Sequence, residues 1–303
     1  MDTSLTGIER SLAQTEEYVR VSRMMVKVIA ANARLSPVVE KKVRFGAHRQ
    51  QYVVLHYPRQ AVGARKPIIF FLHGGGWGHG NAGLFRFIGR FFAERGYPAI
   101  IGGYRLAPRY KFPSQVEDAY SGLRAGLELA AARGLDTESV VVAGQSAGAQ
   151  LASLMLLDRE NLQRHGFDPA CFAGLLLVSG LLDFAYCRNW KDRDMLRKYL
   201  GRGTDWDRAN PVKFVRGDET LPVLCIHGER DLLVDKANSI SFIRKLKRTG
   251  ELYLSHRAYH TDLTTMFLVN RISTKVMLRW LERVERLAHE ARLGLRAPLT
   301  LQA

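Results

Sequence analysis

The sequence predicts an α/β fold: a mostly parallel central sheet with helices on both faces and a small helical cap. Three observations carry that expectation. Short apolar runs rich in Val, Ile and Phe alternate with helical stretches of about 10 to 15 residues, and such an alternation calls for right-handed crossovers between parallel strands. The turn "GQSAG" over residues 144–148 closes one apolar run and opens a helix, as in a strand–turn–helix unit. The rhythm breaks over residues 184–217, a charged, tryptophan-bearing stretch that reads as an insertion over one end of the sheet.

Each element has its own local reason. An amphipathic helix is expected over residues 18–34, where Arg20, Arg23, Lys27 and Arg34 fall on one side and Val21, Met24, Met25, Val28 and Ile29 occupy much of the rest. Residues 51–58 ("QYVVLHYP") and 66–77 ("KPIIFFLHGGGW") read as strands because they are short, β-branched or aromatic, and bounded by glycine or proline. A helix from about Leu84 to Arg95, a strand over 97–108, a helix from about Gln115 to Arg133 and a strand over 139–145 follow. Next come a helix from about Ala147 to Asp158 and a strand over 171–180. Beyond the insertion, a strand over 221–231, a helix over 236–250, a strand over 251–256 and one long helix from about Asp262 to Leu293 complete the pattern. Residues 1–45 are thus expected as an N-terminal helical cap segment, and 46–303 as the main domain with a cap insertion near 184–217.

The chain has 303 residues, 47% hydrophobic and 24% charged, which suits one large domain or one domain with a small cap. Its longest apolar runs fall well short of the roughly 20 residues that a membrane span requires. The N-terminus carries acids early and lacks the apolar stretch of a secretory signal, so the cytoplasm is the expected compartment. Cys171, Cys187 and Cys225 are odd in number and far apart, a pattern of free thiols and not of a disulfide framework or a close-spaced zinc site. Lys and Arg exceed Asp and Glu by 45 to 29, a net charge of +16 that attracts anionic partners. The excess forms two stripes, one on the N-terminal helix and one at Arg271, Lys275, Arg279, Arg283 and Arg286. These are solvated faces, or they meet an acidic carrier protein or an anionic surface. Nucleic acid is the weakest partner, because no zinc-finger, RNA-recognition or basic-zipper pattern accompanies the charge.

The chemistry is carried by a constellation. Ser146 lies on a tight turn between strand and helix, where Gly144 and Gly148 avoid Cβ clashes and the hydroxyl is held up from the sheet edge. The N–H of Ala147 opens the helix, unpaired and directed where a carbonyl oxygen would become negative. "HGGGWGHG" over 73–80 follows a strand, and Gly75 and Gly76 are the natural partners of Ala147 in an oxyanion hole. A phosphate loop is the other reading of such glycines, but the Lys-Ser/Thr ending and the G-x-G-x-x-G spacing are missing. A serine hydroxyl needs a base, and the base an orienting acid. Asp231 ends "CIHGERD" and His260 follows the next strand in "YHTDL", so both occupy loops at the carboxyl ends of strands. Asp235 and His256 are the competing positions, the first suited to cap the next helix and the second lying within a strand-like run.

With "HGGGW", "YRLAP" followed by "FPSQVEDAY", "GQSAG" and "GERDLLVD" with a late "YH", the sequence resembles the α/β-hydrolase superfamily, in the esterase branch similar to hormone-sensitive lipase, across roughly residues 50–290. Gln145, where the branch often has Asp, and "GQSAGA" with "HTDL" look more like the isoprenylcysteine methylesterase subgroup. The resemblance implies that Arg105 and Asp118 are scaffold. The expected activity is a serine carboxylesterase working through an acyl-enzyme on a small-molecule ester, with Ser146, Asp231 and His260 as triad and no metal or organic cofactor. An amidase, formamidase or thioesterase on the same triad is the alternative within the fold, and a non-catalytic small-molecule receptor the alternative outside enzymes. Trp77, Met24, Met25, Trp190 and Trp206 are expected to line the substrate pocket.

Overall fold

The apolar runs pair into one sheet whose register sorts their side chains onto two faces. The computed structural model describes residues 7–59, 66–188 and 190–295, so the far ends of both expected segments, 1–6 and 296–303, lie outside the described residues. Helix α1 (Gly7–Ala33) precedes strands β1 (Val38–Arg44), β2 (Tyr52–Pro58) and β3 (Ile68–Leu72). The chain continues through α2 (Arg86–Ala93), β4 (Ala99–Gly102), α3 (Ser114–Ala131), β5 (Val140–Gln145), α4 (Ala147–Leu157), the short α5 (Arg159–Arg164) and β6 (Phe172–Val178). It ends with α6 (Trp190–Leu200), β7 (Val223–Gly228), α7 (Ala237–Leu246), β8 (Gly250–Ser255), α8 (His260–Thr264) and α9 (Ile272–Arg292).

The eight strands lie in the order β1-β2-β4-β3-β5-β6-β7-β8, with β2 antiparallel to both neighbours and every other pair parallel. Parallel strands covered by helices on both sides need apolar residues at every position. That is why "IIFFL" of β3 and "FAGLLLV" of β6 are buried throughout. Ile68, Phe70 and Leu72 join the core that α3 and α4 close, while Ile69 and Phe71 join the opposite core with α2, α9 and Val28 of α1. Truncating a ring such as Phe70 to Ala would cost about 3–5 kcal/mol in transfer and cavity energy.

Parallel pairing gathers the carboxyl ends of β3, β5, β7 and β8 at one edge of the sheet. The insertion between β6 and β7 runs along this architecture as 3-10 turns at Phe184–Tyr186, Trp206–Ala209 and Pro211–Phe214 around α6. A buried amide ties it down. Gln150 of α4 accepts from the Trp77 indole (3.0 Å) and the Tyr199 hydroxyl (3.4 Å), and donates to the Ala209 carbonyl (2.7 Å).

Three expectations change. Residues 38–44 are not part of a helical cap: "VVEKKVR" pairs along its full length with β2 as the edge of the main sheet, its charged side chains suiting an edge strand. The N-terminal helix begins at Gly7 and not near residue 18. The long C-terminal helix is two, since the chain leaves helix after Phe267 and restarts at Ile272. Thr274 holds that corner, accepting the Arg271 N–H (3.3 Å) and donating to the Met266 carbonyl (2.8 Å). Among the described residues no helix is long and apolar enough to cross a membrane.

Candidate active site

Ser146 is the single residue between β5 and α4, at φ 55° and ψ −120°. A non-glycine residue holds such a conformation only where its surroundings impose it. Here the Ser146 N–H donates to the Val178 carbonyl at 2.8 Å, and α4 packs directly on the end of β3. A Cβ at Gly148 would overlap the carbonyl oxygens of Leu72 and His73, so only glycine permits that approach. The serine is left 8% exposed at the sheet edge.

Two loops bring N–H groups to the same place. Leu72 of β3 pairs with Gly144 of β5, which sets the glycine loop beside the serine turn. Gly75 and Gly76 have φ of 120° and 57°, and Ala147 begins α4. Among the described residues the N–H groups of Gly75, Gly76 and Ala147 carry no hydrogen bond. His73, behind them, is fully buried and stacked between Phe85 (5.3 Å) and Tyr104 (4.3 Å), so its place is structural.

Asp231 and His260 meet. His260 Nδ1 lies 2.7 Å from Asp231 Oδ2, and the other carboxylate oxygen accepts the N–H groups of Leu233 (3.1 Å) and Val234 (2.8 Å). Burial by itself would raise this carboxyl, but the charge of His260 and hydrogen bonds from His227 and His260 outweigh it and hold Asp231 well below the usual carboxylate range. The competing positions are elsewhere. Asp235 is exposed and caps α7 by accepting the Ala237 N–H (2.9 Å), while His256, its side chain 76% exposed, pairs with Glu229 at 2.8 Å. Arg105 grips Asp118 through Nε (2.8 Å) and Nη2 (2.9 Å), an ion pair within the scaffold.

Three further residues at the site escape a reading by motif. The side-chain nitrogen of Gln145 lies 2.9 Å from His260 Nε2. His227, wholly buried, stands 3.3 Å from Asp231 and hydrogen-bonds Ser239 (2.8 Å) and the Val234 carbonyl (3.0 Å). Met195 of α6 reaches the glycine loop, its sulfur 2.8 Å from where a Cβ on Gly76 would stand. "CIHGERD" contains a signal for His227, a histidine four residues before the acid; Met195 has none short of the folded chain.

The expected pocket residues fare differently. Trp77 does not line a pocket: it is completely buried, its ring stacked on Tyr199 at 4.1 Å, because Gln150 supplies a partner for its indole N–H. Trp190, 72% exposed at the start of α6, faces away from the core. Met24 packs against the core beneath α1, Met25 is half-buried on the same helix, and Trp206 packs against the core on the insertion side. The Arg20 guanidinium lies 3.8 Å from the ring centre of Tyr259, so α1 touches the loop that carries His260. Among the described residues no group of three or more His, Cys, Asp or Glu is arranged to hold a metal ion.

A family model described as alpha/beta hydrolase fold matches residues 69–257. The chain is 27% identical over 249 residues to a protein of Oryza sativa subsp. japonica described as "Probable isoprenylcysteine alpha-carbonyl methylesterase", covering 75% of this chain and 58% of the rice protein. It is 28% identical over 141 residues to the carboxylesterase NlhH of Mycobacterium tuberculosis, covering 45% of this chain and 44% of that enzyme. The chain therefore spans about half the length of these curated relatives. A crystal structure of esterase B from Lactobacillus rhamnosis superimposes with a TM-score of 0.76 at 23% identity, covering 94% of this chain and 99% of that one, a likeness of fold.

Proposed function

Because the chain belongs to the alpha/beta hydrolase fold family, we propose that it is a serine hydrolase of small carboxylic esters with Ser146, His260 and Asp231 as its triad. The observation that carries this reading is the 2.7 Å contact of His260 with a buried Asp231, at the same sheet edge as a serine on a strained turn. In this mechanism Ser146 Oγ attacks the ester carbonyl carbon while His260 Nε2 takes its proton. Asp231 accepts from Nδ1–H, which fixes the tautomer and stabilises the imidazolium. The oxyanion is met by the N–H groups of Gly75, Gly76 and Ala147, each such donor being worth on the order of a hundredfold in rate. Collapse expels the alkoxide, which leaves as the alcohol with the proton from Nε2. Water then attacks the acyl-enzyme, gives a proton to Nε2, and the acid departs as Ser146 is restored.

Helix α1 and the insertion at 184–217 would cap this site, a reading supported by the contacts of Arg20 with Tyr259 and of Met195 with the glycine loop. Three free cysteines, two of them buried, support action in a reducing cytoplasm. The positive charge leaves room for an acidic carrier or an anionic surface as partner. A fluorophosphonate probe with peptide mapping, run beside hydrolysis of a short-chain p-nitrophenyl ester, tests the core of the reading. Labelling at Ser146, and loss of both signals in Ser146→Ala with the fold intact, is the expected result. Retention of more than a few percent of the activity in that variant would remove Ser146 from its role.

A further inference from the structure

A surface helix ordinarily turns its apolar stripe to the core and its polar side to water. Helix α1 turns apolar residues both ways. Val28, 2% exposed, belongs to the same buried core as Phe87 and Phe91 of α2, and the Asn32 side chain donates to the Leu84 carbonyl at 2.7 Å, which fixes the inward face. On the opposite side stand Val19 (48% exposed), Val26 (68%) and Ile29 (61%), with Leu35 wholly exposed just past the helix end. At about 100° per residue these three helical positions lie within one third of the circumference. Arg23 and Lys27 run along the edge of that face, and Arg34 follows at its end.

The two basic stripes are paired to different extents once folded. Along α9, Arg271 pairs with Asp262 (3.0 Å), Arg283 with Glu251, and Arg286 with Glu290 (3.9 Å). Among the described residues Arg23, Lys27 and Arg34 form no ion pair. Arg20 of the α1 stripe is paired with Glu16 (2.7 Å), and Lys275 and Arg279 of the α9 stripe also form no ion pair among the described residues. What sets α1 apart is that Arg23, Lys27 and Arg34 stand unneutralised beside Val19, Val26, Ile29 and Leu35. Leu35 and Val269 line the same cleft of about 190 Å³, together with Arg34, Arg90, Glu94 and Arg95, and Ile272 on the body is 69% exposed.

We propose that the outward face of α1, with Val26, Ile29 and Leu35 as its apolar contacts and Arg23, Lys27 and Arg34 as its cationic edge, docks the protein onto an anionic lipid surface. A helix with an apolar face and unpaired basic residues at its border lies in the plane of a membrane interface, its apolar side chains among the upper acyl chains and its cations among the headgroups. An acidic protein held by charge alone would satisfy the cations and leave Val26, Ile29 and Leu35 in water. The inward face is already committed to α2 and to the loop of His260, so docking leaves the cap contacts in place. This inference goes beyond the proposed esterase activity and does not depend on it.

The test uses the full chain and flotation with vesicles of phosphatidylcholine alone or with about one third phosphatidylserine, at low and physiological salt, with soluble-ester hydrolysis read in parallel. Binding to the anionic vesicles should exceed that to the neutral ones by on the order of a hundredfold, and weaken as salt shortens the reach of the charges to about 8 Å. Val26→Asp with Ile29→Asp, and Arg23→Glu with Lys27→Glu, should each abolish vesicle binding and leave hydrolysis unchanged. Arg279→Glu on α9 should change neither. Failure to bind anionic vesicles overturns the proposal, as does binding lost with Arg279→Glu alone. Capture by an acidic carrier protein without vesicle binding, or a dimer that Val26→Asp with Ile29→Asp turns into monomers without vesicle binding, overturns it equally. Loss of hydrolysis in Ser146→Ala speaks only to the triad, so the two readings fail separately.

Discussion

Gln145 places its side-chain nitrogen 2.9 Å from Nε2 of His260, while Nδ1 of the same ring faces Asp231 at 2.7 Å. With a proton on Nδ1, the Nε2 lone pair is the acceptor, and the amide of Gln145 occupies the direction from which the proton of Ser146 must come. Among the described residues Ser146 Oγ itself has no hydrogen bond. An amide suits this position because it can serve both states of the ring: N–H toward the neutral imidazole, and carbonyl oxygen toward the imidazolium after rotation.

Gln145→Glu removes that choice. A carboxylate accepts only from a protonated Nε2 and favours the charged ring, so the base is lost at higher pH. The acid limb of the kcat/KM profile for a soluble ester should move up by about one pH unit or more, with activity near the alkaline plateau retained. A profile that stays in place would show that Gln145 does not face the ring in the working enzyme.

Asp231→Asn and His260→Ala should each lower kcat/KM by several orders of magnitude, as loss of an orienting acid or of the base does in serine hydrolases. Asp235→Asn keeps an N-capping side chain and His256→Ala trims an exposed ring paired with Glu229, so each should cost less than about threefold. Steady-state kinetics on the four variants, with circular dichroism as the fold control, check the ranking. The reverse order would transfer the triad to the other pair.

What the sequence makes legible follows from which constraints are local. Gly144 and Gly148 announce the serine turn because backbone contact there forbids any side chain, and the continuous apolar runs announce parallel strands because both faces are covered. Other features depend on partners far along the chain. Trp77 has the look of a pocket residue until Gln150 and Tyr199, supplied by α4 and α6, take it into the core. The contact of Gln145 with His260 joins residues 115 apart. "VVEKKVR" carries too many charges to read as a strand, since an edge strand paired on one side tolerates them. The corner between α8 and α9 is fastened by the hydroxyl of Thr274 and by the ion pair of Arg271 with Asp262, neither of which periodicity registers.

Acid should weaken the fold before it protonates ordinary carboxylates. Burial holds His56 and His73 down at about 4, below their usual 6.5. Between those values the unfolded chain binds protons that the native protein excludes, so stability is complete above about pH 6.5 and falls as pH drops toward 4. Asp231, held low, adds its loss only below about pH 4. His73→Phe keeps an aromatic ring between Phe85 and Tyr104 and removes one titration, so its melting temperature should vary less between pH 7 and pH 5 than that of the parent. An unchanged slope would mean that His73 is not the buried neutral imidazole described.

Gln150→Leu should loosen the insertion from the sheet. The amide is buried, and it satisfies the indole N–H of Trp77, the hydroxyl of Tyr199 and the carbonyl of Ala209, which come from the glycine loop, α6 and the turn after α6. Leucine fills similar volume but leaves these groups without a partner in a dry environment, each costing about 1–3 kcal/mol where no water replaces the bond. A loss of about 2–4 kcal/mol is expected, read as a fall of several degrees in the melting temperature. Trp77 also belongs to the loop that presents Gly75 and Gly76, and the segment after β4 braces it there, since the Ala107 N–H donates to the Trp77 carbonyl at 2.9 Å. Disorder released at Trp77 should therefore reach the N–H groups of Gly75 and Gly76, the proposed oxyanion donors, and kcat should fall more than KM rises. Thermal melts and ester kinetics on the same preparation check both halves. A variant as stable as the parent, with unaltered kcat, would show that the insertion is held by packing alone.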